Sequence, residues 1–140
     1  MSISVLGIPF DEFSSFMRGP AQAPPLIRKA FHSDSSNYFT ENGINLKDHP
    51  GWKDENDLVL PTGNQAINAI QTEIESRLAS FDKLLSLGGD HSVTYPIIKA
   101  LSKKYQKLTI LHLDAHPDLY HDFEGNKYSH ACPFARIMEE

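Results

Sequence analysis

One cysteine, Cys132, occurs in the 140 residues of this chain. An internal disulfide is therefore impossible, and a structural zinc centre built on several cysteines is excluded with it. No apolar run approaches the ~20 residues of a membrane-spanning helix. The opening Met1-Ser2-Ile3-Ser4-Val5-Leu6 has neither the basic flank nor the long apolar stretch of a secretory signal. Basic residues do not cluster beyond Lys103-Lys104, and the formal net charge is −5. Nucleic acid and membrane are accordingly not expected as partners. Internal repeats, low-complexity tracts and linkers are missing too. The 40% hydrophobic and 22% charged content is that of a folded chain rather than a disordered one. These absences lead to the expectation of a single folded unit in a reducing, cytoplasmic setting.

What is present is an alternation of apolar strands with helical patterns, the sequence form of βαβ units. Residues 3–8 read as a first strand, ended by Pro9. A turn rich in proline (Pro20, Pro24, Pro25) leads into a short helix over residues 26–31. Residues 33–51 read as loop, and the stretch from about 37 to 60 is the least informative. Thr62 and Gln65 form a capping box, followed by a helix with Ile67, Ile70, Ile74 and Leu78 on one stripe. Residues 83–87 form a second strand. Ser92 can cap a helix with Pro96 in its first turn and Ile97, Leu101 and Tyr105 on the buried face. Residues 108–113 read as a third strand, and both of these later strands are nearly continuous apolar runs, as parallel strands covered on both faces should be. A last helix is expected over residues 134–140.

The chemistry-bearing residues follow two of these strands. Asp114, His116 and Asp118 stand at alternate positions in Asp114-Ala115-His116-Pro117-Asp118, so on extended backbone their side chains would point one way. His91 follows the other run, in Leu87-Gly88-Gly89-Asp90-His91-Ser92. Ligands of open parallel sheets collect outside the carboxyl ends of the strands, so the two turns read as one site. Two carboxylates and two imidazoles without thiolate suit Mn²⁺, Zn²⁺, Fe²⁺, Co²⁺ or Ni²⁺. Taken alone, Asp-x-His-x-Asp also suits a polar turn whose carboxylates cap the next helix. Asp90 reads as a group beside the metal ligands that orients an imidazole rather than as a ligand. His112 reads as a core histidine, and His121 with Asp122 as a solvated pair. A Cys132–His130 nucleophilic pair is disfavoured, since side chains two apart at a helix start need not meet.

Gly88-Gly89-Asp90-His91-Ser92 and Asp114-Ala115-His116-Pro117-Asp118 together resemble the first two signatures of the ureohydrolases, the arginase and agmatinase family. Glu124-Gly125-Asn126-Lys127-Tyr128-Ser129-His130-Ala131 and Phe134-Ala135-Arg136-Ile137-Met138-Glu139 agree with it. So do Ser14-Ser15-Phe16-Met17-Arg18-Gly19-Pro20 and Pro24-Pro25-Leu26-Ile27-Arg28. The resemblance is to the agmatinase-related branch, which includes plant-type arginases. The resemblance implies an α/β fold of three layers, α/β/α, with a mainly parallel sheet. It implies two Mn²⁺ per active site, with His91, Asp114 and Asp118 on one, His116 on the other and Asp114 bridging. A shared water would be activated to attack a guanidino carbon and release urea and an amine. His130 matches the family's proton carrier.

The family's later Asp-x-Asp signature is not found. Residues 1–140 are therefore expected to be the N-terminal part of a single truncated domain, inactive alone, from a protein that forms trimers or hexamers. Animal-type arginases have a serine and an asparagine where this chain has Asn126 and Tyr128. Asn126 thus becomes a candidate substrate contact, and agmatine is the favoured substrate over arginine, guanidinobutyrate or guanidine. Two other classes remain: a non-catalytic ureohydrolase-like binding protein, and the one-zinc deacetylases that share the sheet.

Overall fold

The computed structural model describes residues 2–80 and 82–140. Three parallel strands form one sheet in the order β2-β1-β3: β1 (Ile3–Ile8), β2 (Trp52–Asp57) and β3 (Lys83–Gly88). Among the described residues four α-helices accompany them: α1 (Ala23–Phe31), α2 (Asn64–Arg77), α3 (Thr94–Lys104) and α4 (Pro133–Met138). A parallel sheet with helices is the α/β arrangement expected.

Strand β1 is the centre of the sheet, and its alternating side chains separate two layers. Leu6 and Ile8 face one side, where they are fully buried with Ile70 and Ile74 of α2 and Ala100 of α3. Ile67 and Leu78 are buried as well, so the whole predicted stripe of α2 faces inward. Gly7 points to the opposite side. A Cβ there would collide with Asp57 of β2 and Arg28 of α1, so the absent side chain lets α1 lie close to the sheet. Arg28 is forked across Asp54 and Asp57, with Nε 2.7 Å from Asp54 Oδ2.

Several local expectations change. β2 falls where no strand is legible, because Trp-Lys-Asp-Glu-Asn-Asp carries no apolar alternation. As the outer strand of the sheet it needs none, and charge there protects the edge. Its register against β1 slips between Val5 and Gly7, and Asn56 takes a left-handed φ of 63° at the slip. The cap of α2 is Gly63 at φ 61°, not Thr62, and its N–H is bound from a distance by Glu12 Oε2 at 2.6 Å. Asp90, not Ser92, caps the turn into α3 by accepting from Ser92 N–H at 2.9 Å. Tyr105 is exposed at the end of α3.

The largest change concerns residues 108–113. They belong to none of the three strands. Leu111 and Leu113 are 82% and 86% exposed. The run has strand composition, but among the described residues no neighbouring strand pairs with it. Without a ladder partner, an apolar segment remains irregular.

Candidate metal centre

Three loops build the site. The first follows β1, the second follows β3, and the third follows residues 108–113. The first two are locked together by backbone. Gly89 N–H donates to Ile8 O at 3.0 Å and Asp90 N–H to Phe10 O at 2.9 Å. A Cβ on Gly89 would stand 1.8 Å from Phe10 O, so only glycine permits this approach. Buried Asp90 then secures the first loop. Its Oδ2 accepts Phe13 N–H at 3.1 Å and Ser14 Oγ–H at 3.2 Å, while Oδ1 accepts from Ser92. Its carboxylate thus holds loops in place, and no contact with the His91 ring is seen among the described residues.

His91, delivered by this frame, meets the third loop. Its Nδ1 lies 2.6 Å from Asp118 Oδ2 and 3.7 Å from Asp114 Oδ2. Alternate parity is not what brings these carboxylates together. Asp114 Oδ1 accepts its own chain's His116 N–H at 2.9 Å, which bends the backbone. Asp118 adopts a left-handed φ of 46°. The bend turns His116 outward, so that its side chain is 78% exposed with Nδ1 3.7 Å from Asp114 Oδ1. The structure therefore gathers His91, Asp114 and Asp118 and leaves His116 at the rim.

His112 enters instead. Its Nε2 is buried without a hydrogen-bond partner and lies 3.6 Å from Asp114 Oδ2. Ligand atoms of His91, His112 and Asp114 all fall within 4.8 Å of one another. Phe134 of α4 stacks on the His112 ring at 4.0 Å and stands edge-on to His91. An unpartnered buried imidazole nitrogen facing carboxylates is a poor arrangement by itself and a suitable one around a cation. Nitrogen and oxygen donors without sulfur fit Mn²⁺. The His116 N–H, and then the imidazoles of His91 and His112, hold the Asp114 carboxyl below the usual carboxylate range. It is anionic, as a ligand must be.

A cavity of about 560 Å³ opens above these groups. His91, Asp114, His116 and Asp118 line it together with His130, Ser15, Tyr120 and Phe123. His130 precedes α4 in a turn rather than starting the helix, whose cap is Cys132. Its ring Nε2 lies 2.7 Å from Ser15 Oγ. Asn126 is outside the wall of this cavity, with its carboxamide oxygen accepting Tyr128 N–H at 2.9 Å. Cys132 is fully buried, and burial pushes its thiol up, away from thiolate chemistry. His121 is exposed beside Asp122. Ser15, Phe123, Tyr120 and Phe134 had no assigned role from sequence. Ser15 was findable, since it follows the carboxyl end of β1, where such sites form.

The sequence profile of the Arginase family matches residues 1–140, the whole chain. The chain belongs to this family. It is 46% identical to the mitochondrial arginase of Medicago truncatula over 97% of its own length and 43% of the relative's. It is 45% identical to the mitochondrial arginase 1 of Arabidopsis thaliana, covering 99% and 43%. With the agmatinase of Bacillus cereus the identity is 34%, covering 98% and 47%. A solved structure of arginase from Medicago truncatula superposes with a TM-score of 0.90 at 44% identity, covering 99% of this chain and 46% of that one. The chain thus spans less than half the length of these relatives. Two expectations are corrected. These two plant arginases are mitochondrial proteins, which overturns the cytoplasmic assignment. The preference for agmatine finds no support, since higher identity lies with arginases than with the agmatinase.

Proposed function

We propose that the whole protein is a manganese-dependent hydrolase that releases urea from a guanidino substrate, with arginine ahead of agmatine. The observation that carries this reading is the cavity lined by His91, Asp114 and Asp118, which lie against one another, and by His130. His116, which the family resemblance assigns to a second manganese, also lines this cavity, with its side chain 78% exposed. Bound manganese would supply the Lewis acidity that makes water nucleophilic near neutral pH. The chain's own residues do the rest. Asp114 and Asp118 place negative charge opposite a cationic guanidinium. The faces of Phe123 and Tyr120, 5.6 Å apart and edge-to-face, give that planar cation an aromatic surface. His130 stands at the cavity wall, where it can hand a proton to the departing amine.

Arginine is placed ahead of agmatine because the relatives above 40% identity bear the name arginase. The same relatives favour an organelle, the mitochondrion first, as the place of action. A trimeric or hexameric assembly is part of the proposal on the strength of the family resemblance. His130→Ala tests the catalytic assignment. Turnover should fall by roughly 10²–10⁴-fold with manganese content unchanged. Loss of manganese in that variant would make His130 a ligand or a structural residue and move the proton carrier elsewhere.

A further inference from the structure

We propose that Ser15 is a positioning residue for His130, holding the imidazole in the orientation its proton transfer requires. The inference rests on the reading of His130 as proton carrier and adds a residue to it. Ser15 Oγ and His130 Nε2 are 2.7 Å apart across a separation of 115 residues. Among the described residues, Ser15 is the hydrogen-bond partner of that ring. Phe123 borders the other side of the imidazole edge-on, with centroids 6.4 Å apart.

The serine is not placed by chance proximity of two flexible loops. Phe13, two residues earlier, is tied on both sides. Its N–H donates to buried Asp90, and its carbonyl accepts the backbone N–H of His130 at 3.2 Å. Ser14 Oγ–H donates to the same Asp90 oxygen. Asp90 thereby fixes the loop that carries Ser15, and that loop is hydrogen-bonded to the backbone of the residue it serves. A hydroxyl suits this task for a chemical reason. It accepts from an Nε2–H and donates to a bare Nε2 by rotating about its C–O bond. The contact survives both protonation states of the imidazole, so the ring keeps its orientation as the proton comes and goes. A carboxylate would favour one state, and an alkyl group would hold neither.

Ser15→Ala in the intact manganese-loaded protein tests this. Ser15 is exposed, so the substitution removes a hydroxyl without opening the core. The expected result is a kcat lowered about 10-fold, the size usual for losing a partner that orients a functional histidine, with KM and manganese content essentially unchanged. Ser15→Thr, which keeps the hydroxyl, should restore most of kcat. In the metal-free protein, the imidazole ring signals of His130 should shift and broaden on Ser15→Ala, because the ring loses the partner that holds it in one orientation. Wild-type kcat in Ser15→Ala, an effect confined to KM, or unaltered His130 ring signals would each overturn the proposal. His130→Ala separates this from the underlying reading. Full turnover in His130→Ala would dismiss the proton-carrier role and Ser15's with it, whereas low turnover there with normal turnover in Ser15→Ala would dismiss Ser15 alone.

Discussion

An aspartate that accepts the N–H two residues ahead of it cannot remain in extended backbone. Asp114 does this, and the consequence reaches each neighbouring donor. His116 swings out, Asp118 returns through a left-handed turn, and His112 is left facing the Asp114 carboxylate from below. The residue types were legible in the sequence, because nitrogen and oxygen donors at the ends of apolar runs have few other uses in that number. Their relative standing was not legible, since strand parity describes a ladder and Asx turns break it. Asp90 is a related case. Its position beside His91 in sequence points to the imidazole, whereas buried carboxylates seek whichever N–H groups lack partners, and those belong to the β1 loop. The geometry predicts an order among ligand variants. His91→Ala should lose most of the bound manganese, while His116→Ala, at the rim, should lose at most one of two ions and retain the other. Metal analysis of both purified variants decides this, and equal total loss in the two would contradict the order.

Elements with an apolar period announced themselves. β1, β3 and α2 lie where the pattern places them, and β1 and α2 bury a regular face in the core. β3 packs only Leu84 against it and leaves Leu85 51% exposed, so the expected cover on both faces is absent among the described residues. β2 could not be read, since its contribution to the fold is ionic rather than apolar. Arg28 of α1 holds Asp54 and Asp57 and fastens the helix over the outer strand. The Arg28 hydrogen bonds hold the Asp54 carboxyl below its ordinary value of 3.8. A carboxyl depressed in the folded state stabilises it fully above that ordinary value. The contribution is lost as pH falls through the lowered folded value. Denaturation midpoints measured from pH 6 downward should therefore fall more steeply for the native sequence than for Asp54→Asn below about pH 4. Parallel curves for the two would show that the fork contributes nothing. In the core, Ile74→Ala should cost about 2–5 kcal/mol in urea denaturation, as for other fully buried large-to-small changes. A loss below that range would mean that α2 is not seated on β1 as described.

At the scale of the molecule, the chain spans less than half the length of the relatives it matches. Residues 108–113 have a strand's composition without a strand's partners, and Leu111 and Leu113 stand in solvent. Periodicity reports how much burial a segment is suited to; the strand composition of residues 108–113 was legible, and among the described residues the segment pairs with no strand at all. Residues 1–140 expressed alone should bind a hydrophobic dye and self-associate through this segment. Leu111→Lys with Leu113→Lys should reduce both, as read by dye fluorescence and light scattering; unchanged association would place the sticky surface elsewhere. The proposed manganese site of His91, Asp114 and Asp118 is tested by urea released from arginine by the whole protein, measured against bound manganese. Urea release should rise in proportion to manganese occupancy and vanish when a chelator removes the metal. Full occupancy without urea from arginine, agmatine or another guanidino compound, or release that survives chelation, would contradict the account.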